Sequence, residues 1–167
     1  MTIRAGVLTV SDKGARGERV DTAGPAVATL LATIGVEAVE TAILPDARDQ
    51  IAARLRTWAD EAYLDLILTT GGTGLSPRDV TPEATLDVAE KQVPGLAEQM
   101  RQAGRGSTHL SSLSRSVAVI RGRTLLVNLP GSERGARESL ESLLDLLPHA
   151  VETLRGEPVE QHPVDQV

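Results

Sequence analysis

Two kinds of apolar segment alternate in this sequence. Ile3 to Val10, Val36 to Leu44 and Leu64 to Thr69 are short and rich in branched side chains, as expected of strands in a helix-covered sheet. Between them, Val27, Leu30, Leu31 and Ile34 recur at helical spacing. Ile51, Leu55 and Trp58 do the same on one face of a helix predicted over 49–61. Asp21 or Thr22 is placed to cap the first helix, Pro25 falls in its first turn, and Gly35 ends it. Thr81 reads as the cap of a helix with Pro82 at its first position, running to about Glu90. Pro94-Gly95 breaks that helix, and another begins at Leu96. Lys13 to Arg19 is polar and reads as a loop, and Gly104 to Thr108 is loosely specified. Val117 to Ile120 and Thr124 to Val127 flank Arg121-Gly122-Arg123 as a hairpin candidate, and Ser139 to Leu147 reads as the final helix. This order predicts an α/β fold: a three-layer α/β/α sandwich with a mostly parallel sheet and a late β-hairpin. Residues 1–155 are expected to form one domain, followed by a C-terminal tail over 156–167.

Composition sharpens this picture. The 167 residues include one Trp, one Tyr and no Phe, so the core must be built from Ala, Val, Leu and Ile. With no cysteine, disulfides, thiolate catalysis and cysteine-ligated zinc or iron–sulfur centres are excluded. A formal charge of -6 argues against non-specific nucleic-acid binding. The apolar start is too short for a membrane span and has no signal-peptide cleavage pattern, so a cytoplasmic protein without membrane or nucleic-acid partners is expected.

Chemistry concentrates where strands end. Ser11 to Gly17, Thr70 to Asp79 and Asn128 to Ser132 each combine glycine with polar side chains, and ligands of open α/β sheets bind beyond the carboxyl ends of strands. Gly71, Gly72 and Gly74 allow tight turns that bring backbone N–H groups close to an anion. Arg78 has the paired donors to hold a phosphate, and Asp79 the hard oxygen to hold Mg²⁺. Taken singly, each feature has a plainer reading: a tight turn at Gly71 to Gly74, a turn at Pro45-Asp46, a helix-entry carboxylate at Asp79, a loop cap at Asp12. The glycine loop is neither a Walker A loop nor a dinucleotide fingerprint. His109, His149 and His162 read as surface, helix-end and tail residues.

Thr70 to Thr85 spells Thr-Gly-Gly-Thr-Gly-Leu-Ser-Pro-Arg-Asp-Val-Thr-Pro-Glu-Ala-Thr, which resembles the signature of the molybdopterin-binding domain of the Mog-MoaB family. Leu129-Pro130-Gly131, Val10-Ser11-Asp12 and Pro94-Gly95 followed by Glu98 to Arg101 extend the resemblance to about Arg155. The resemblance implies a nucleotidyltransferase that adenylylates molybdopterin with Mg-ATP and releases pyrophosphate. It implies catalytic roles for Asp46, Asp79 and Arg78, with Asp46 and Asp79 holding the metal. The pterin and nucleotide would be bound by Ser11, Asp12, Thr70, Gly71, Gly72, Thr73, Gly74, Asn128, Pro130, Gly131 and Ser132. It further implies a homotrimer, with transient contact with molybdopterin synthase or a molybdenum insertase. A non-catalytic molybdopterin-binding or carrier protein of the same fold is the second expectation. A single domain disfavours a multidomain insertase.

Overall fold

The computed structural model describes residues 2–156. Over these residues the strands are β1 (Ile3–Val10), β2 (Val36–Leu44), β3 (Leu66–Thr70), β4 (Lys91–Gln92), β5 (Ala118–Arg121) and β6 (Thr124–Leu129). They form one sheet in the order β2-β1-β3-β6-β5-β4. The first four strands of that order are parallel, whereas β5 pairs antiparallel with β6 across the late hairpin and β4 antiparallel with β5. From β1 the chain goes to a neighbour on one side, β2, and then crosses to β3 on the other side. That reversal leaves a crevice at the carboxyl ends of β1 and β3.

The helices are α1 (Asp12–Ala15), α2 (Ala23–Ala32), α3 (Arg48–Asp60), α4 (Thr81–Val88), α5 (Pro94–Gly104), α6 (Glu133–Glu141) and α7 (Leu147–Arg155). Because successive strand side chains point to opposite faces, the sheet divides the interior in two. Ala5, Val7, Leu66, Leu68, Leu125 and Val127 pack with residues of α2, α5, α6 and α7. Leu8, Val10, Ile67, Leu126 and Val119 pack on α3 and α4 through Ile51, Leu55, Trp58, Ala84 and Val88. Both faces are covered, which is why these strands read as near-continuous apolar runs. Among the described residues, no helix is long and apolar enough to cross a membrane.

Several local expectations change. Asp12–Ala15 is a helical turn rather than loop, with Ser11 Oγ accepting from Gly14 N at 3.0 Å; four residues are too few to show a period. Asp21, not Thr22, supplies the side-chain cap of α2, accepting from Gly24 N at 3.0 Å. Thr81 lies inside α4, whose cap position is Val80, and the helix ends at Val88 because Ala89 turns extended. β4 is two exposed residues without an apolar signature. A 3₁₀ turn at His109–Leu113 follows the loosely specified stretch, capped by Thr108. The expected final helix is two helices, α6 and α7, separated by turns. Ser132 caps the first of them and Pro148 opens the second. Except for Gly156, the expected tail, with His162, lies outside the described residues.

The second core gives a stability test. A Cβ on Gly6 would sit 2.6 Å from Trp58 Cε3 and 2.8 Å from Leu64 Cδ1, and both side chains are buried. Gly6→Ala is expected to cost about 1–3 kcal/mol through overpacking, measured by denaturant unfolding. Unchanged stability would mean that the indole does not lie against β1.

Candidate functional site

The carboxyl ends of β1, β3 and β6 meet at glycines. Gly71 has φ +93, and a Cβ there would fall 2.3 Å from the Val10 carbonyl oxygen; its N–H bonds Leu129 O at 3.1 Å. A Cβ on Gly131 would lie 3.2 Å from Gly71 Cα. Gly72, with φ +68, passes so close to Asp46 and Thr81 that a Cβ would meet Asp46 Oδ1 at 3.0 Å and Thr81 Oγ1 at 2.2 Å. A Cβ on Gly74 would meet Asp79 Oδ2 at 2.8 Å. The glycine loop is therefore packed against both acidic side chains expected to hold metal.

Asp12 and Asp46 exchange hydrogen bonds between neighbouring strand ends. Asp46 N donates to Asp12 Oδ1 at 2.9 Å, and Asp12 N to Asp46 Oδ2 at 3.2 Å. Arg78 forks onto Asp12, with Nε and Nη2 at 3.0 and 2.8 Å from Oδ2. The paired donors of Arg78, expected to hold a phosphate, meet the Asp12 carboxylate, and the guanidinium is exposed. Asp12 thereby ties the end of β1 to Arg78 and to the Asp46 amide. Arg78 and then the Asp46 amide hold the Asp12 carboxyl below its ordinary pKa. Asp46 moves the other way: burial raises it, the Asp12 amide opposes this, and the charges of Asp12 and Asp79 raise it further. Asp79 Oδ2 accepts from Ser76 N at 3.0 Å.

Two cavities open beside this junction. One, of about 410 Å³, is lined by Ser11, Asp46, Thr70, Gly71, Gly72, Asp79, Gly131 and Ser132. The other, of about 450 Å³, is lined by Thr73, Gly74, Pro130 and Ser132 together with apolar Leu75, Met100, Leu110 and Leu113. Ser132 borders both. Asp12, Arg78 and Asn128 line neither. Asn128 is fully buried: its Nδ2 donates to Thr69 Oγ1 at 3.0 Å and Thr85 Oγ1 at 2.9 Å, and its Oδ1 accepts from Val117 N at 3.2 Å. The structure makes it a tie between β6, β3, α4 and the start of β5, not a pocket wall.

The acidic cavity also has walls that sequence patterning passed over. Thr9 Oγ1 donates to Asp21 Oδ2 at 2.6 Å, so the carboxylate that caps α2 also closes one side of the cavity. Arg19 is the cation among its lining residues, opposite Asp21, Asp46 and Asp79. Three carboxylates against one guanidinium repel a polyphosphate unless further cations enter with it. Among the described residues, no group of three His, Cys, Asp or Glu side chains could hold a metal by itself. Asp46 and Asp79 nevertheless fit Mg²⁺, which keeps several waters and is bound through one or two carboxylates plus phosphate oxygens. Arg115, a further unanticipated residue, bonds the glycine loop from behind.

The geometry agrees with what the chain is similar to. The family model described as "Probable molybdopterin binding domain" matches residues 6–162. The chain is 39% identical over 157 residues to the molybdopterin adenylyltransferase of Helicobacter pylori strain J99, covering 93% of this chain and 89% of that one. It is 44% identical over 151 residues to the molybdenum cofactor synthesis protein cinnamon of Drosophila melanogaster, covering 90% of this chain but only 25% of that protein's length. The solved structure of the molybdopterin biosynthesis enzyme MoaB from Thermus thermophilus superposes with a TM-score of 0.89 at 54% identity, covering 94% of this chain and 99% of that one. With a family match over most of its length and the same mostly parallel sheet, the chain belongs to the Mog-MoaB family of molybdopterin-binding proteins.

Proposed function

We propose that this chain binds molybdopterin and adenylylates it with Mg-ATP. The observation that carries this reading is that two carboxylates from different loops, Asp46 and Asp79, border one cavity and the same glycine loop. The acidic cavity suits the triphosphate with its cation, and the apolar cavity beside it suits the pterin. In the reaction, the terminal phosphate of molybdopterin attacks the α-phosphorus of ATP. A phosphorus–oxygen bond forms to the pterin phosphate as the bond to pyrophosphate breaks. No general base is required, since the attacking phosphate is already largely ionised at neutral pH (second pKa ~6). Asp46 and Asp79 would hold Mg²⁺, which supplies charge neutralisation for the phosphates. The backbone N–H groups of Gly72, Thr73 and Gly74 donate to no protein acceptor among the described residues, leaving them for phosphate oxygens. Ser132, bordering both cavities, is placed where the two substrates join.

Binding or carriage of molybdopterin without turnover is the second reading. It is favoured by the description of the matching family, which names molybdopterin binding and no transfer step. Purified protein mixed with molybdopterin and Mg-ATP separates the two. Adenylylated pterin and pyrophosphate are expected, and both should disappear in excess chelator. Pterin binding without product would establish the carrier reading, and product formation in chelator would remove the metal.

Exchanging the carboxylates is expected to separate chemistry from stability. Asp79→Asn should lower turnover at least ~100-fold, about 2.7 kcal/mol of transition-state stabilisation, with molybdopterin affinity retained. Near-normal turnover would remove Asp79 from the mechanism. Asp46→Asn should also lose turnover, yet its stability should change in the opposite sense to a loss of structure. A carboxylate raised on folding stabilises the fold fully only below its unfolded pKa, near 3.8, and that contribution is lost as pH rises through the folded value. At neutral pH the wild-type protein therefore carries a charged Asp46 that is costly to keep. Asp46→Asn is expected to unfold at an equal or higher temperature at pH ~7, with its advantage shrinking towards pH ~4. A variant destabilised most at neutral pH would contradict this.

We also propose a homotrimer, and transient contact with molybdopterin synthase or a molybdenum insertase. Leu75, Leu110 and Leu113 are exposed at the rim of the apolar cavity and offer surface for such contacts. Sedimentation equilibrium should give three times the monomer mass of 17.6 kDa. A monomer across the accessible concentration range would count against assembly.

A further inference from the structure

The segment that carries Asp79 has few anchors of its own. Leu75, Ser76, Pro77 and Arg78 are exposed. Within the segment, Asp79 N donates to Ser76 O at 2.9 Å and Asp79 Oδ2 accepts from Ser76 N at 3.0 Å. These bonds fold the loop on itself, and Arg78 ties its exposed tip to Asp12 beyond the end of β1. Arg115, just before β5, holds its two ends. Its backbone N–H donates to Thr73 O at 2.9 Å, its Nε to Gly74 O at 2.8 Å and its Nη2 to Asp79 O at 2.9 Å. Its Nη1 pairs with Glu83 in the first turn of α4. One residue thus grips the chain on both sides of the exposed stretch and the helix that follows it.

We propose that Arg115 is a positioning residue that sets the Asp79 carboxylate for its metal-holding role. This rests on the reading above that Asp79 holds Mg²⁺. Arg115 lines neither cavity, so it acts through the loop and not on substrate. The chemistry of the side chain is specific to the task. A guanidinium directs several N–H donors within one plane towards separate acceptors, here two carbonyls and a carboxylate. A lysine ammonium is a single centre and cannot reach all three. Glu83 accepts from the remaining Nη1, while the two carbonyls fix the plane of the guanidinium.

The test compares Arg115→Lys with Glu83→Gln, which keeps an acceptor for Nη1 while leaving the carbonyl contacts intact. Amide hydrogen exchange at Ser76 reads the Asp79 carboxylate directly and needs no substrate. Arg115→Lys is expected to speed exchange at Ser76 and Asp79 by at least ~10-fold while the β3 amides stay protected. In turnover, the Mg²⁺ concentration for half-maximal rate should rise ~10-fold with an unchanged KM for molybdopterin, and added Mg²⁺ should restore much of the rate. A generally weakened fold would not give this split. Glu83→Gln should stay near wild type in both readings. Wild-type protection at Ser76 in Arg115→Lys overturns the positioning role, whatever happens to turnover. So does Glu83→Gln falling as far as Arg115→Lys, because the ion pair and not the carbonyl contacts would then carry the effect. Lost Ser76 protection, combined with no Mg²⁺-dependent turnover in wild-type protein, sinks the proposed reaction and keeps Arg115 as the residue that places Asp79. A reading on wild-type protein is independent of any variant's folding: the Arg115 Nε–H, held by Gly74 O, should exchange slowly, and one averaged with solvent overturns the clamp.

Discussion

Three strand ends approach one another at Gly71 more closely than side chains allow. The Val10 carbonyl occupies the place of a Gly71 Cβ, and Gly131 stands against the same residue from the β6 side. Any larger residue at 71 would need both a left-handed backbone and room where the β1 carbonyl lies. Because the backbones can touch there, polar side chains from three separate loops reach one crevice. The remaining geometry follows. Gly72 and Gly74 bring the loop down onto Asp46 and Asp79, and Ser132 comes to rest between the two cavities. The loops are fixed by the parallel sheet beneath them, where β3 pairs in register with both β1 and β6.

Polar ties under the loops keep this junction in place. Asn128 joins β6 to β3 and α4 at full burial, where each of its bonds is worth more than at the surface and a broken one costs more. Asp12, bonded to Arg78 and to the Asp46 amide, links the end of β1 to the loops after β2 and β3. Asn128 and Asp12, which stand in motif positions, thereby hold the junction together, while Asp46 and Asp79 border the cavity. Motif membership does not distinguish these roles, since a residue needed to place a catalytic group is constrained as tightly as the group itself.

The fold was legible in the sequence for a physical reason. Strands covered on both faces must be apolar throughout, the edge strand β2 mixes branched apolar residues with exposed polar ones, and the helices between them carry one apolar stripe, so β1, β2 and β3 and the helices α2 and α3 are marked by their own residues. What escaped were elements whose existence depends on neighbours. β4 is two exposed residues ordered by pairing with β5, and α1 is one turn held by the Ser11 cap. The division into α6 and α7 was missed because the apolar Leu140, Leu143 and Leu147 continue at helical spacing through the break between them. In the site, glycine spacing and carboxylates could be read directly. Arg115 could not, because a single arginine between serines has no local pattern, and its side-chain acceptors lie 32 to 41 positions earlier in the chain.

Asp46 shows how such a site trades stability for binding. Its carboxylate is partly withdrawn from water and faces the charges of Asp12 and Asp79, and both effects disfavour ionisation. Nearby Arg78 offsets this only weakly, since its fork is committed to Asp12. The arrangement is poor as a resting structure, and the proposed Mg²⁺ would answer that cost. A cation would relieve the repulsion between Asp46 and Asp79 and the electrostatic cost of bringing phosphates beside them. The same charge excess makes phosphate entry without a cation unfavourable. On the proposed reading, metal and nucleotide would bind together with no moving part, because the glycine junction already holds both carboxylates at one cavity.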